Sequence, residues 1–589
     1  MPPRKHRRFQ RSGFKQTGPF RNGKEMQPQQ KINPPPENTL RVVGLGGLGE
    51  IGRNCTVLEF ADDIIVIDIG LGFPEEDMPG IDFTLPNVQY LSENKKKIRG
   101  VVFTHGHYDH IGGIPYLIDK IGNPPLFASP LTAGIIRKRQ EDFPKGPRLN
   151  LHIVKENDQI RLGKFMVSFF HVNHNIPDDF GLKIDTPIGT VVTTSDFKID
   201  ETPVNDKPAD LVKLKRIGDQ GVLLLLGDST GAESEGHSIS EKTIQENLEQ
   251  IFKQVKGRVI AATFSSLINR IQQLITISEK YGRKVVLGGY SMRTNVEISK
   301  NLGYIKTKKG TLISEKEIEK YSDDKITIIC TGAQGEHNAA LMRIVNKTHR
   351  YIRLNPGDTM IFSSSVIPGN ERTVQELKDN IYRQGAEVFH YRMMDIHAGG
   401  HGERDDLRTM LRLMRPRYFM PVHGQYSMLV MHARLAKELG VSDKNIVIAE
   451  NGQLVNLTKD KVWLSKETVP ANYIMVDGLG IGDVGEVVLR DRQMMSKDGM
   501  FVIITLVDSK SGMVRGSPDI ISRGFVYLKE SKDLLSQARR IVKDIVETNS
   551  GGGKFNPIFL RDAIKDAVGR YLFEKTERRP MVLPVILEV

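Results

Sequence analysis

The sequence predicts an α/β protein assembled from three parts, and three observations carry that prediction. From Thr39 the chain runs in short β-branched stretches, "LRVVGLGG", "CTVLEF" and "DIIVIDIG", punctuated by Gly and Asn. That is the texture of strands, several of them buried on both faces. Between about 236 and 390, helical stretches ("SEKTIQENLEQIFKQV", "SLINRIQQLITISEKYG") alternate with apolar strands ("RVIAATF", "RKVVLGG", "KITIICTG", "TMIFSSS"), which predicts a self-contained unit around a mostly parallel sheet. From about 465 a smaller α/β unit follows, with a strand at 501–507 and a helix on which Leu534, Leu535, Ala538, Ile541, Val542 and Ile545 keep helical spacing.

The elements follow in order. Residues 1–38 hold nine Lys or Arg against two Asp or Glu, so this tail supplies +7 of the formal net charge of +12. Rich in Pro, Gln, Arg and Asn, it is expected to be disordered and to attract phosphate backbones non-specifically. Strands are expected at 98–104, 190–194, 222–226 and 418–422, each ending at a polar residue. "SGGGK" at 550–554 reads as a flexible break before a last helix and the strand-like "PMVLPVILEV". There are no internal repeats.

Composition excludes several classes. Hydrophobic residues at 39% and charged residues at 26% are ordinary for a globular chain. No apolar run is long enough to span a membrane and the N-terminus lacks the apolar core of a secretory signal, so a cytoplasmic protein with no membrane partner is expected. Only Cys55 and Cys330 are present, too few for a disulfide framework or a cysteine zinc site. Any metal must be held by His and carboxylate.

Such donors are concentrated in "VVFTHGHYDHIGG", where His105, His107, Asp109 and His110 follow an apolar run within six residues. Ligands at one strand end converge on a point, and imidazole with carboxylate suits zinc or manganese. Four donors cannot hold two ions with open positions. Further candidates follow other predicted strands: His171 and His174 in "HVNHNIPDDFG", Asp196 in "TVVTTSDFK" and His423 in "YFMPVHGQY". "GLGGLG" at 44–49 satisfies the dinucleotide fingerprint, but the downstream "RNCTVLEF" reads as a strand rather than the required helix.

Together these residues resemble the metallo-β-lactamase superfamily, with Asp68 similar to its first motif, His105/His107/Asp109/His110 to its second, His174 to its third and Asp196 to its fourth. The resemblance implies an αββα sandwich with one metal on His105, His107 and His174, a second on Asp109, His110 and His423, and Asp196 bridging. Asp196 and His423 are 227 residues apart, and an inserted domain is the simplest account. The layout resembles the β-CASP nuclease branch, with Asp228 in "LLLLGDST", His401 in "HAGGHGE" and His423 in "PVHGQ" standing where its additional motifs fall. Histidine at the last of these is typical of RNA-directed members. Over nearly all of 39–589 the chain is most similar to the bacterial ribonuclease J family, through "GGLGEIGRN", "GLGFPEEDMPGID", "HNIPD", "ATFSS", "SRGFVY" and "TERRPMVLPVILEV". Three departures stand out: Ser195 where glycine is usual, glycine and glutamate after His401, and Gln425 where glutamate is common.

The expected division is therefore a tail (1–38), a metallo-β-lactamase domain (39–235), the inserted β-CASP domain (236–390), a return segment and linker (391–464) and a C-terminal α/β oligomerisation domain (465–589). The resemblance implies two divalent ions per subunit, zinc or alternatively manganese, and single-stranded RNA as substrate. It further implies 5′-to-3′ exonuclease and endonuclease activity, homodimers or homotetramers, and partners in RNA decay. Two metals about 3.5–4 Å apart activate water and stabilise charge on attacking and leaving oxygens. His401, oriented by Asp228, is expected to donate a proton to the departing 3′ oxygen or to stabilise the transition state. Phe264, Ser265 and Ser266 offer a ring and two hydroxyls to RNA, and His397, Ala398, Gly399, Gly400 and His401 form a Gly-rich turn suited to a phosphate; Ser363 to Ser365 are a third candidate. The competing readings are a hydrolase of the same fold acting on DNA or a small ester, and an inactive RNA-binding scaffold.

Overall fold

A computed structural model describes residues 32–75, 77–336, 338–367, 369–526, 531–550 and 556–589. Most of the expected tail (1–31) and the glycine run at 551–554 lie outside these residues. From residue 35 onward the chain clusters as one unit.

Two sheets form the centre of the first part. One has eight strands, in the order Val462–Thr468, Gln453–Leu457, Leu40–Gly46, Cys55–Phe60, Asp63–Ile67, Ile98–Val102, Leu126–Ala128 and Leu151–Ile153. The other has six, in the order Tyr418–Val422, Leu224–Asp228, Gly189–Thr193, Phe180–Thr186, Phe165–His171 and Gln159–Leu162. Alternate residues of each strand face the other sheet, so Leu40, Val42, Leu58 and Ile65 share one core with Val167, Leu182, Val191 and Leu224. The opposite face of the six-stranded sheet, at Phe170, Val192, Leu225 and Phe419, is covered by Leu214 and Ile217 of helix Leu211–Asp219 and by Leu407 and Met410 of helix Arg404–Met414. This is the sandwich the motifs implied.

The inserted unit is a six-stranded sheet in the order Leu312–Ile313, Lys284–Gly288, Ile326–Cys330, Val259–Ala262, Thr359–Phe362 and Glu387–His390. Every pairing in it is parallel. One of its helices starts at a side-chain cap: Ser240 accepts from the Lys242 amide at the head of Glu241–Gln254. The C-terminal unit sets helices Lys532–Asn549 and Pro557–Thr576 on a sheet of Asp519–Arg523, Met500–Val507 and Met581–Glu588, packing Leu535, Ala538, Val542, Ile564 and Val568 against Phe501 and Ile503.

Two strand bounds differ from expectation. The strand expected over 98–104 ends at Val102, because the Thr104 amide and hydroxyl are taken by the Asp68 carboxylate, both at 2.9 Å. The strand expected over 222–226 runs Leu224–Asp228, with Asp228 as its last residue. As expected, no helix follows "GLGGLG", which ends strand Leu40–Gly46 and forms a two-residue strand Leu48–Gly49 before strand Cys55–Phe60. Gly47 turns at φ +86°, and its carbonyl accepts from the His423 amide at 2.8 Å.

Candidate metal centre

His105 follows strand Ile98–Val102, and His107 precedes the short helix Tyr108–Ile111 that carries Asp109 and His110. His174 lies in the loop after Phe165–His171. The structure brings His105 Nε2 to 3.0 Å from His107 Nδ1, and His174 Nε2 to 3.1 Å from the same atom. The far side of each ring fixes which nitrogen is bare. His174 Nδ1 donates to the Gly400 carbonyl at 2.7 Å, so its Nε2 presents a lone pair to the group. His105 Nδ1 faces the Asp179 carboxylate at 3.4 Å, which turns its Nε2 lone pair the same way. Burial pushes His105 and His174 well below the ordinary histidine pKa and brings His107 to about 4, so all three rings are neutral near pH 7. Three imidazoles that aim nitrogens at one point repel unless a cation sits among them, and ligands around a tetrahedral ion with bonds of about 2.0–2.1 Å are separated by roughly 3.3 Å.

A second group adjoins the first. His110 Nε2 lies 3.1 Å from Asp196 Oδ2, and His423 Nδ1 lies 2.8 Å from Asp196 Oδ1. Asp109 Oδ2 is 3.6 Å from Nε2 of both His110 and His423. Asp196 also faces His105 and His174, at 3.7 and 3.9 Å, so one carboxylate touches both groups. His110 Nδ1 bonds Asp68 Oδ2 at 2.8 Å, which holds that ring as Asp179 holds His105. Among the described residues, buried His107 Nε2 and His423 Nε2 have no hydrogen-bond partner. His171, the other histidine of "HVNH", does not join either group: its Nε2 bonds the Lys207 carbonyl at 3.2 Å.

Asp228 and His401 stand beside these groups. His401 Nδ1 is 2.8 Å from Asp228 Oδ2, while Asp228 Oδ1 accepts from the Thr230 amide and hydroxyl at 3.0 and 2.8 Å. Burial works against charge on His401, but Asp228 and Asp196 outweigh it and raise its pKa above the usual histidine value. The His401 ring centre is 5.1 Å from that of His174 and 5.5 Å from that of His423.

Family comparison decides what this constellation belongs to. Residues 48–242 match the metallo-beta-lactamase superfamily, 256–381 the ribonuclease J beta-CASP domain, 390–449 the Zn-dependent metallo-hydrolase RNA specificity domain and 487–589 the ribonuclease J C-terminal domain. Ribonuclease J 1 of Streptococcus pyogenes is 42% identical over 93% of this chain and 98% of its own length. Ribonuclease J of Thermus thermophilus is 39% identical over 95% and 97%, and ribonuclease J2 of Bacillus subtilis 36% over 93% and 99%. The chain belongs to the ribonuclease J family. It is thereby a metal-dependent hydrolase of the nuclease class. A solved structure described as a protein of unknown function from Enterococcus faecalis shares the fold, with a TM-score of 0.52 and 15% identity over 71% of this chain and all of that one.

Within this ribonuclease J chain, the remaining candidates lie along the start of helix Ile268–Lys280 and the turn before His401. Phe264, Ser265 and Ser266 are half-buried, and Asn295 holds the Ser265 carbonyl at 2.9 Å. His397 and Ala398 are buried, Gly399 is exposed, and Gly400 is buried at φ +86°. A Cβ on Gly400 would fall 2.3 Å from the Asn175 side chain, so the carbonyl that orients His174 depends on glycine. Ser363 is buried, its hydroxyl donating to the Ile396 carbonyl at 2.7 Å.

Two contributors, Asp179 and a buried ion chain, were not picked out from the sequence, and Ser195 stood out there only as a departure from the family pattern. Asp179, the residue that faces His105, is one of two adjacent aspartates in "IPDD", and nothing in the motif favours either. Ser195 stands at φ +59°, which explains the usual glycine. Its hydroxyl compensates by donating to Asp179 Oδ1 at 2.8 Å. Behind His397 runs a buried ion chain: Lys198 Nζ contacts Glu241 Oε1 at 3.1 Å, and Arg270 contacts Glu241 Oε2 at 2.9 Å and the Ile396 carbonyl at 2.6 Å. Lys198 ends "SDFK", and that fixed spacing from Asp196 was the only available signal. Gln425 lies exposed in a short strand paired with Gly49, and Glu403 caps helix Arg404–Met414 together with Asp406.

Proposed function

We propose that this chain is a ribonuclease that degrades single-stranded RNA in the 5′-to-3′ direction from a 5′-monophosphate end, and also cleaves internally, in RNA maturation and decay. The observation that carries the reading is the presence of the Asp228–His401 pair against two groups of inward-aimed metal donors. The donor chemistry fits two divalent cations: His105, His107 and His174 would hold one, Asp109, His110 and His423 the other, with Asp196 shared. The His-rich set suits zinc, with manganese the alternative. Such ions supply Lewis acidity toward a phosphoryl oxygen and make water a nucleophile near neutral pH.

The chain's own residues do the rest. Asp179 and Asp68 orient His105 and His110 as ligands. Asp228 accepts from His401 Nδ1, which leaves His401 Nε2 to deliver its proton to the departing 3′ oxygen. Phe264 stacks on a base, Ser265 and Ser266 bind backbone phosphate, and the turn from His397 to Gly400 receives the 5′ phosphate. The division at 236–390 and 391–464 enters this reading as a lid and the segment returning from it. Residues 465–589 are assigned to assembly as dimers or tetramers, and to contacts with other RNA-decay proteins. No described helix is long and apolar enough to cross a membrane, in keeping with a cytoplasmic site of action.

The test uses one RNA sequence with a 5′ monophosphate, the same RNA with a 5′ triphosphate, and DNA of the same sequence. The reading requires metal-dependent release of nucleoside monophosphates, fastest from the monophosphorylated RNA. Equal rates on DNA, or degradation that survives metal removal, would overturn it.

A further inference from the structure

A cavity of about 370 Å³ opens at the carboxyl ends of the adjacent parallel strands Thr359–Phe362 and Glu387–His390. That volume lies within the range of about 300–1,000 Å³ for small-molecule sites, and this end of an open parallel sheet is where ligands bind. Its floor is apolar, from Phe362, Val366 and Val374. Its rim is cationic: Lys378 and Arg392 line it, and among the described residues neither has a carboxylate partner, whereas the neighbouring Arg372 is paired with Glu376 at 3.1 Å. The lone acid among its described lining residues, Glu371, already accepts from the Gly369 amide at 2.8 Å. Tyr391 presents a half-buried ring with the Arg392 guanidinium 5.8 Å from its centre. Ser364 is buried, and among the described residues its oxygen meets only a long 3.5 Å contact from Gln334, which leaves its hydroxyl able to donate.

We propose that this cavity is an accessory nucleotide site, separate from the metal centre, that takes a nucleobase against Tyr391 and the apolar floor and its phosphate on Lys378, Arg392 and Ser364. An aromatic ring backed by arginine beside unneutralised cations is the chemistry that binds a nucleobase and its phosphate. The site is joined to the predicted substrate turn. Ser364 follows Ser363, whose hydroxyl holds the Ile396 carbonyl next to His397, and Tyr391 begins the segment that leads to His401. Occupancy therefore bears on the turn from His397 to His401. The class of occupant rests on the RNA-hydrolase reading, and its source is either a free mononucleotide or a nucleotide within the RNA chain.

The test is photolabelling of the metal-loaded chain with 8-azido-AMP, followed by peptide mapping, in the parent and in Lys378→Ala/Arg392→Ala and Tyr391→Ala variants. The proposal requires saturable labelling of the peptide around Tyr391 that AMP or an RNA 20-mer competes away, and at least a tenfold loss of labelling in the double variant. An RNA 20-mer that competes while inorganic phosphate and AMP act only weakly assigns the site to the RNA chain. Competition by AMP alone assigns it to a free nucleotide. Absence of saturable labelling there, or labelling that both variants retain in full, overturns the proposal. The readout is independent of cleavage, so a chain that fails to degrade RNA yet labels at Tyr391 refutes the function and leaves this site standing.

Discussion

Replacing Asp228 by asparagine tests the proton-donor assignment most directly. Oδ1 of Asp228 accepts two hydrogen bonds from Thr230, so the new amide must keep its oxygen there and turn its NH2 toward His401 Nδ1, 2.8 Å away. A donor then faces a donor. The ring must give up its Nδ1 proton, its cationic form loses the Asp228 charge that sustains it, and proton transfer from Nε2 becomes unfavourable. General-acid catalysis contributes about 10²–10⁴-fold, or roughly 3–5 kcal/mol of barrier at 1.36 kcal/mol per decade. The assay is single-turnover degradation of 5′-monophosphate RNA, with bound metal measured on the same sample. The expected result is a rate lowered by about 100-fold or more with KM changed less than about threefold and metal content unchanged. The sign of the pH effect follows from the raised pKa of His401: the acid form persists above the ordinary value of 6.5 in the parent, and the alkaline limb moves to lower pH in Asp228→Asn. A metal-replete variant that works at the parental rate, or one whose loss merely tracks lost metal, would refute the reasoning.

Three further outcomes are expected. Glu241→Gln leaves the buried Lys198 and Arg270 without their shared carboxylate and should destabilise by about 3–5 kcal/mol, read as a lowered midpoint in urea; superimposable curves would deny the ion chain its structural weight. In the parent, burial alone would raise the Glu241 pKa, but Arg270 and Lys198 bring it down from 4.5 to about 2, so this contribution is present above pH 4.5 and fades as pH falls toward 2. Ser195→Gly relieves a left-handed backbone worth about 1 kcal/mol or more but removes the hydroxyl that steadies Asp179; stability should hardly change while zinc affinity, measured by chelator competition, falls by about tenfold or more. His107→Ala combined with Asp109→Ala removes a donor from each group and should abolish cleavage, whereas degradation at the parental rate would place the chemistry elsewhere.

The candidate metal donors that the structure brings together were legible because they follow strands, four of them within six residues of a kind rarely grouped without a purpose. Histidine order alone was not enough. His171 and His174 are equally good donors on paper, yet His171 is the last residue of its strand and turns to the Lys207 carbonyl, while three more residues carry His174 into the centre. The partners that fix the rings were less visible. An aspartate behind a histidine is defined by distance across the fold, 74 residues apart in sequence for His105 and Asp179, and no local pattern encodes it. Nothing in the local sequence around Glu241 or Arg270 shows that tertiary packing buries them with Lys198.

Why a domain could be inserted between Asp196 and His423 without dispersing the ligands follows from strand direction. Strands Leu224–Asp228 and Tyr418–Val422 pair in parallel, with Asp228 opposite Val422. A parallel pair needs a long crossover in any case. Lengthening that crossover adds closure entropy only logarithmically, about 0.6 kcal/mol per doubling for a flexible connection, and leaves the register untouched. The register alone sets His423 one residue beyond Asp228's partner, and the Gly47 carbonyl then fixes its amide. The crossover also departs from Asp228 itself, at the centre. Near its end, the turn from His397 to His401 comes back to the same place, where Gly400 holds His174 and His401 meets Asp228. An insertion at this crossover is therefore bound to the centre near both of its ends. The same covalent path that makes the insertion tolerable makes it part of the site, which is why the spacing between Asp196 and His423 carried functional information at all.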